Sequence, residues 1–170
     1  MFAGVLALLA APATVATPST QSAAASSSSQ AKPANPTVIH HFRKETWRWQ
    51  ALMRRPHTPG VPWSPTKATL SVWKQRASRA YRHALRPPHR SAWLCIQRYE
   101  ADWNDAYAPY YGGLQMDLGF QRTYGADLLR RKGTADRWTP VEQMWVAERA
   151  LRAGRGFWPW PNAARICGLL

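Results

Sequence analysis

Glu100 follows Tyr99 directly and precedes Trp103 by three positions. A carboxyl set among aromatic rings loses hydration, which disfavours its charged form and lets it keep a proton to higher pH. Breaking a glycosidic bond needs such a proton, delivered to the leaving oxygen. The competing role is an ordinary solvated Glu at the edge of an amphipathic helix. Asp102, Asp105 and Asp117 are the candidates for a second carboxylate. On a helix Asp102 points about 200° round from Glu100, which leaves Asp117 as the favoured partner, with helix capping or surface charge as its alternative. Metal chemistry has little to build on: the five His all precede residue 90 and none has HExxH spacing. His40 and His41 read as surface residues of a basic helix. No cofactor motif is present.

An acid of this kind works only if rigid elements hold it. Past Pro87-Pro88, the stripe Ala92, Cys95, Ile96, Tyr99 and Trp103 predicts a helix capped by Ser91, with Glu100 on the margin of its buried face. A loop with Pro109 and Gly112-Gly113 follows, then less regular helical turns from Gln115 to Lys132. Thr139, Pro140 and Glu142 spell a capping box with Pro at the first helical position, and Val141, Met144, Trp145 and Leu151 form the inward face of the helix they start. Gly154 or Gly156 can end it. Glu148 reads as structural, paired with Arg152 one turn on or capping a network.

Four ordered blocks resemble the resuscitation-promoting factor family of actinobacterial cell-wall enzymes. They are Trp93-Leu94-Cys95-Ile96-Gln97-Arg98-Tyr99-Glu100, Tyr110-Tyr111-Gly112-Gly113-Leu114-Gln115, Ala147-Glu148-Arg149 and Trp158-Pro159-Trp160-Pro161. The resemblance implies a small lysozyme-like, transglycosylase-like domain over residues 90–170, with Glu100, seven residues after Trp93, as the catalytic acid. It also implies that Tyr110, Tyr111, Gly113 and Gln115 line the glycan cleft. Rings stack on sugar faces, an amide can donate and accept, and glycines let a strand approach the backbone. Trp103, Asp117 and Arg155 complete the implied substrate contacts. The chain departs from the family in having Ala101-Asp102-Trp103-Asn104 where Gly-Gly-Asn-Trp is usual, and in the positions of both Cys.

The chain carries 23 Lys and Arg against 9 Asp and Glu. Residues 38–89 hold 11 of those bases and one acid, Glu45. Ile39, Phe42, Trp49 and Met53, then Leu70, Trp73, Ala77 and Tyr81, fall at helical spacings, so this segment reads as a basic helical hairpin. Ser64-Pro65 offers the start of its second helix. Residues 17–37, rich in Ser, Ala and Pro, read as a disordered tether, and residues 1–16 as a secretory signal too short to span a bilayer. No other stretch is apolar enough for a stable membrane span.

With ten Trp to fill a small core, the expected fold class is mainly α. Export also makes a Cys95–Cys167 disulfide the expectation, with two free thiols as the alternative. The functional expectation is a secreted, cell-wall-associated glycosidase or lytic transglycosylase acting on peptidoglycan glycan strands, with residues 38–89 either a wall-targeting hairpin that has anionic wall polymers as further partners or a helical extension packed on the catalytic domain. A glycan-binding protein without catalysis is the alternative. The basic, Trp-rich composition also fits a nucleic-acid binder, but an exported chain rarely meets nucleic acid, and no such partner is expected.

Overall fold

The computed structural model describes residues 33–60 and 64–170. The expected signal segment and most of the expected tether lie outside them. The fold is mainly α. Helix α1 (Pro36–Leu52) starts inside the stretch read as tether, because the Asn35 side chain accepts the Thr37 N–H at 2.9 Å and Pro36 supplies a preset first turn. Helix α2 (Lys67–Ala84) is capped by Thr66, whose Oγ1 accepts the Thr69 N–H at 3.1 Å. Ser64-Pro65 does not start it, since the Pro65 carbonyl is taken by the Ala34 N–H at 2.7 Å in a bridge between Pro33 and Thr66.

That bridge overturns the expected hairpin. The starts of α1 and α2 lie side by side, Trp47 meets Trp73, Trp49 meets Tyr81, and Arg55 meets His83. The two helices therefore run parallel. An extended chain covers roughly 3.3 Å per residue against 1.5 Å in a helix, so the proline-bearing connection has the reach to return along the length of α1. Trp47 Nε1 donates to the Thr58 carbonyl at 3.0 Å, and the Thr58 N–H donates to Gln50 Oε1 at 2.9 Å, tying its first part to α1. Ile39, Thr46, Trp73, Ala77 and Ala80 are buried within the pair, whereas Tyr81, expected on the same stripe, is 45% exposed.

Helix α3 (Arg90–Glu100) follows, with His89 rather than Ser91 at its N-cap. Strands β1 (Tyr110–Tyr111) and β2 (Met116–Asp117) form a short antiparallel hairpin, Tyr110 opposite Asp117 and Tyr111 opposite Met116. Helices α4 (Leu118–Tyr124) and α5 (Ala126–Lys132) occupy the stretch read as helical turns. Helix α6 (Pro140–Ala150) carries the expected capping box: Thr139 Oγ1 accepts the Glu142 N–H at 3.3 Å, and Glu142 Oε2 accepts the Thr139 N–H at 2.8 Å. It was expected to bury one face. Instead every residue from Glu142 to Ala150 is buried, because α6 is the central post on which the other elements pack. Its polar side chains pay for burial with partners. A wider turn (Leu151–Arg155) ends the helical run, with Gly154 at φ +84°, and helix α7 (Pro161–Ile166) closes the chain.

The parallel pair and the C-terminal half share one core. Leu52, Met53 and Ala84 are buried in the same cluster as Trp93, Ile96, Trp138, Trp145 and Trp160. Two side chains of α6 satisfy carbonyls left open where helices end: Arg149 Nη2 donates to Leu52 O at 2.9 Å, and Trp145 Nε1 donates to Ala84 O at 2.7 Å. The described residues thus form one compact unit, with no break in packing at the expected boundary near residue 89. The Cys95–Cys167 disulfide is present and links α3 to the residue after α7.

Candidate active site

Helix α3 is fixed at both ends. Its N-terminus rests on Glu148 of α6, 1% exposed, whose carboxylate accepts the His89 N–H and the Trp93 indole N–H, each at 2.8 Å, and also faces His89 Nδ1 at 3.1 Å. The Arg152 pairing expected for Glu148 is not formed, because Arg152 Nε instead reaches the Glu148 backbone carbonyl at 3.3 Å. Along the helix Trp93 and Ile96 are fully buried, while Tyr99, placed on the buried stripe by sequence, is 52% exposed. The true inner face is one residue round from the predicted one. At the C-terminus Gln97 Nε2 holds the Ala101 carbonyl at 2.8 Å, and the chain leaves α3 in extended conformation straight after Glu100.

Glu100 is the last residue of that helix and is half-buried. Burial pushes its carboxyl above the usual glutamate range. Among the described residues, which include all nine acids, only the carboxyl groups of Glu100 and Asp102 make no hydrogen bond or ion pair, and Asp102 is exposed. Glu100 is therefore the single acid that is both desolvated and unpartnered. Such a group can hold a proton and give it up to a neighbour.

The β1–β2 hairpin packs against this end of α3. A Cβ on Gly113 would lie 2.9 Å from both Gln97 Cγ and the Trp103 ring, and one on Gly112, at φ +73°, would lie 2.6 Å from Gln143 Oε1. The expectation that these glycines open the backbone to a sugar strand is corrected: both are buried, and the protein's own side chains fill the room they leave. Gly113 seats the hairpin on the end of α3, and Gly112 seats it on α6. Asp105 fastens the same junction, its backbone carbonyl accepting the Gly112 N–H at 2.7 Å and its carboxylate accepting from Gln115 Nε2 at 2.7 Å. Gln115 Nε2 also reaches the Gly112 carbonyl at 3.1 Å, so its amide nitrogen is engaged within the hairpin.

The sequence-predicted site residues separate into two groups. Trp103, Gly113 and Gln115 come together where the hairpin meets the C-terminal end of α3, and Glu100 is the last residue of that helix; Tyr110, 48% exposed, and Tyr111, packed on the core, form β1 of the same hairpin. Asp117 is the N-cap of α4, its carboxylate accepting the Phe120 N–H at 2.7 Å; as a partner to Glu100 it is spoken for, and so is Asp105. Arg155 lies exposed on the turn after α6 and makes no hydrogen bond or ion pair among the described residues.

Sequence reasoning missed Gln143. Fully buried on α6, it donates through Nε2 to the Trp103 carbonyl at 2.7 Å and the Ala135 carbonyl at 2.9 Å, while its Oε1 has no partner. It supports from below the turn that follows Glu100. A Gln between Glu142 and Met144 in the first turns of a capped helix gives no warning of this; only burial on all sides does. Trp160 likewise braces the hairpin, its indole N–H reaching the Leu114 carbonyl at 2.6 Å. Comparison of the chain with protein-family models, curated proteins and solved structures finds no match.

Proposed function

We propose that this protein cleaves peptidoglycan glycan strands at the β-1,4 bond between N-acetylmuramic acid and N-acetylglucosamine, with Glu100 as general acid. The observation that carries the reading is the state of Glu100: half-buried, without a partner, and raised in pKa by burial at the rigid end of α3. A general acid needs a pKa drawn upward from the ordinary carboxylate range and a defined place on the fold, and the upward shift of Glu100 and its position at the end of α3 support that role. The substrate class comes from the resemblance of the four sequence blocks to the resuscitation-promoting factors. Exposed Tyr110, in strand β1 of the hairpin, offers a ring for stacking on a sugar.

In the proposed reaction Glu100 gives its proton to the glycosidic oxygen, the bond from that oxygen to the muramoyl C1 breaks, and the N-acetylglucosamine leaves with a free 4-hydroxyl. Positive charge builds at C1 of the muramoyl sugar. Asp105 and Asp117 are engaged in holding the fold, and Asp102, though unpartnered, is exposed to solvent beyond the end of α3, so the attack is assigned to the sugar's own hydroxyl rather than to a water activated by a second carboxylate. The muramoyl 6-hydroxyl then attacks C1 and returns its proton to Glu100, which closes the cycle with a 1,6-anhydro end and consumes no water. The protein is taken to work outside the cell, in keeping with its disulfide.

The test is digestion of purified peptidoglycan by the wild-type chain and by Glu100→Gln, with mass analysis of the ends released. Wild type should release anhydro-ended fragments, and the variant should be slower by about 10²–10⁴-fold, the range for a lost general acid. Equal cleavage by the variant would overturn the assignment of Glu100. Binding of glycan by both proteins without any cleavage would make the chain a binding module.

A further inference from the structure

The parallel helix pair carries a second site with chemistry unlike that of the α3 junction. Two cavities, of about 210 and 430 Å³, adjoin through the shared residues Arg55 and His83. Arg76 and Arg79 line the first, and Arg82 and Arg86 the second. No Asp or Glu lines either one. Within the pair the single carboxylate, Glu45, is engaged with Arg48 at 3.4 Å. None of the five groove arginines has an ion pair among the described residues; Arg55 faces His83 Nδ1 at 3.3 Å, Arg76 reaches the Pro59 carbonyl at 3.3 Å, and Arg82 reaches Ser78 Oγ at 2.6 Å. Five like charges gathered along one concavity repel each other, and that arrangement favours an anionic ligand that spans several of them.

The groove also indicates which polyanion. Binding of single-stranded nucleic acid uses exposed rings interleaved with the cations, on which bases stack. Here the only ring system besides His83 in the lining is Trp145, which is 4% exposed and has its indole N–H bonded to Ala84. Trp47 and Trp73 of the pair are turned towards one another in its interior. Guanidinium forks without stacking platforms suit repeated phosphodiesters on a flexible backbone that has no bases.

We infer that the groove between the cationic faces of α1 and α2, running on to the start of α3, binds a linear polyol-phosphate polymer and so holds the protein on an anionic cell wall. The choice of a wall polymer rests on the proposed function; the groove's demand for a polyanion does not. The two fail separately, because cleavage can be measured on soluble glycan fragments that carry no phosphate polymer.

The experiment measures binding of the full-length protein to poly(glycerol phosphate) across a salt series, with duplex DNA of matched charge as the competing probe. Arg79→Glu with Arg86→Glu reverses two exposed charges in the groove, and Arg122→Glu with Arg165→Glu reverses two exposed charges elsewhere. Near-ultraviolet circular dichroism checks that both variants keep the wild-type fold, and a variant that loses it is replaced by Arg79→Gln with Arg86→Gln. The groove variant should bind the polymer at least about tenfold more weakly, with a shallower salt dependence, since fewer counterions are released. The control variant should bind within about twofold of wild type. Equal weakening in both would mean that net charge alone attracts the polymer, and tighter binding of DNA than of poly(glycerol phosphate) would assign the groove to nucleic acid; either result overturns the inference.

Discussion

A glutamate at the end of a helix ordinarily costs nothing, because water solvates it. Glu100 is different: burial raises its pKa with no hydrogen bond or cation to offset the loss of hydration. Below the pKa of an unfolded glutamate the residue is protonated in both states and folding carries no penalty. As pH rises through the folded-state value, the folded protein must hold a charge that the unfolded chain holds more easily, and stability falls. Glu100→Gln removes that charge. It should therefore raise the melting temperature at neutral pH and leave it unchanged under acid conditions below the unfolded glutamate pKa, in a thermal melt series against pH. Glu142 runs the other way. Burial pushes it up, but Lys132 at 2.6 Å and the Thr139 groups together outweigh burial and hold its carboxyl below the usual range, so its contribution is lost as pH falls through that lowered value. The contrast is between an acid used for structure and one kept in reserve.

At the scale of elements, the hairpin is seated on α3 and α6 by atoms that are absent. Gly112→Ala puts a Cβ 2.6 Å from Gln143 Oε1 in a backbone conformation, φ +73°, that disfavours side chains. Gln143 cannot retreat easily, since its amide nitrogen is held by carbonyls on both sides. The substitution should cost about 2–4 kcal/mol, read from denaturant unfolding. Some of this was legible in the sequence. Thr139, Pro140 and Glu142 announce α6, and the proline pair at 87–88 marks the break before α3, because local chemistry alone decides both. The face of α3 was not legible. Tyr99 and Trp93 are both large aromatics one position apart in helical phase, and only the Glu148 carboxylate waiting on α6 decides that Trp93 turns inward. The Gly-Gly pair was correctly marked as special, yet its partner Gln143 lies thirty residues on in the chain, beyond the reach of any local pattern.

For the whole molecule, what sequence could not convey is that the basic helices belong to the same core as the acid. Spacing within α1 and within α2 gives two helices but says nothing about their mutual direction, which the long return connection settles as parallel. Charge alone sets the basic segment apart from the C-terminal half; the Arg149 and Trp145 bonds to the last carbonyls of the pair tie it to α6, the post that also anchors Glu148 beneath α3. A chain beginning at Pro87 would lose Leu52, Met53 and Ala84 from the core and leave the Arg149 and Trp145 donors without these acceptors. It should lose cooperative melting and near-ultraviolet dichroism, even with the disulfide intact. Full retention of the native melt would show the pair to be separable after all.

The role of Glu100 as an acid depends on partial burial raising its carboxyl above the usual glutamate range. Carbon-13 labelling of the glutamate side chains and an NMR titration of the Glu100 carboxyl in the folded protein read this directly, with the Glu100→Gln spectrum assigning the resonance. The midpoint should lie above that of a glutamate in an unfolded peptide and above that of Glu142 in the same sample. A Glu100 midpoint at or below the peptide value would contradict the account.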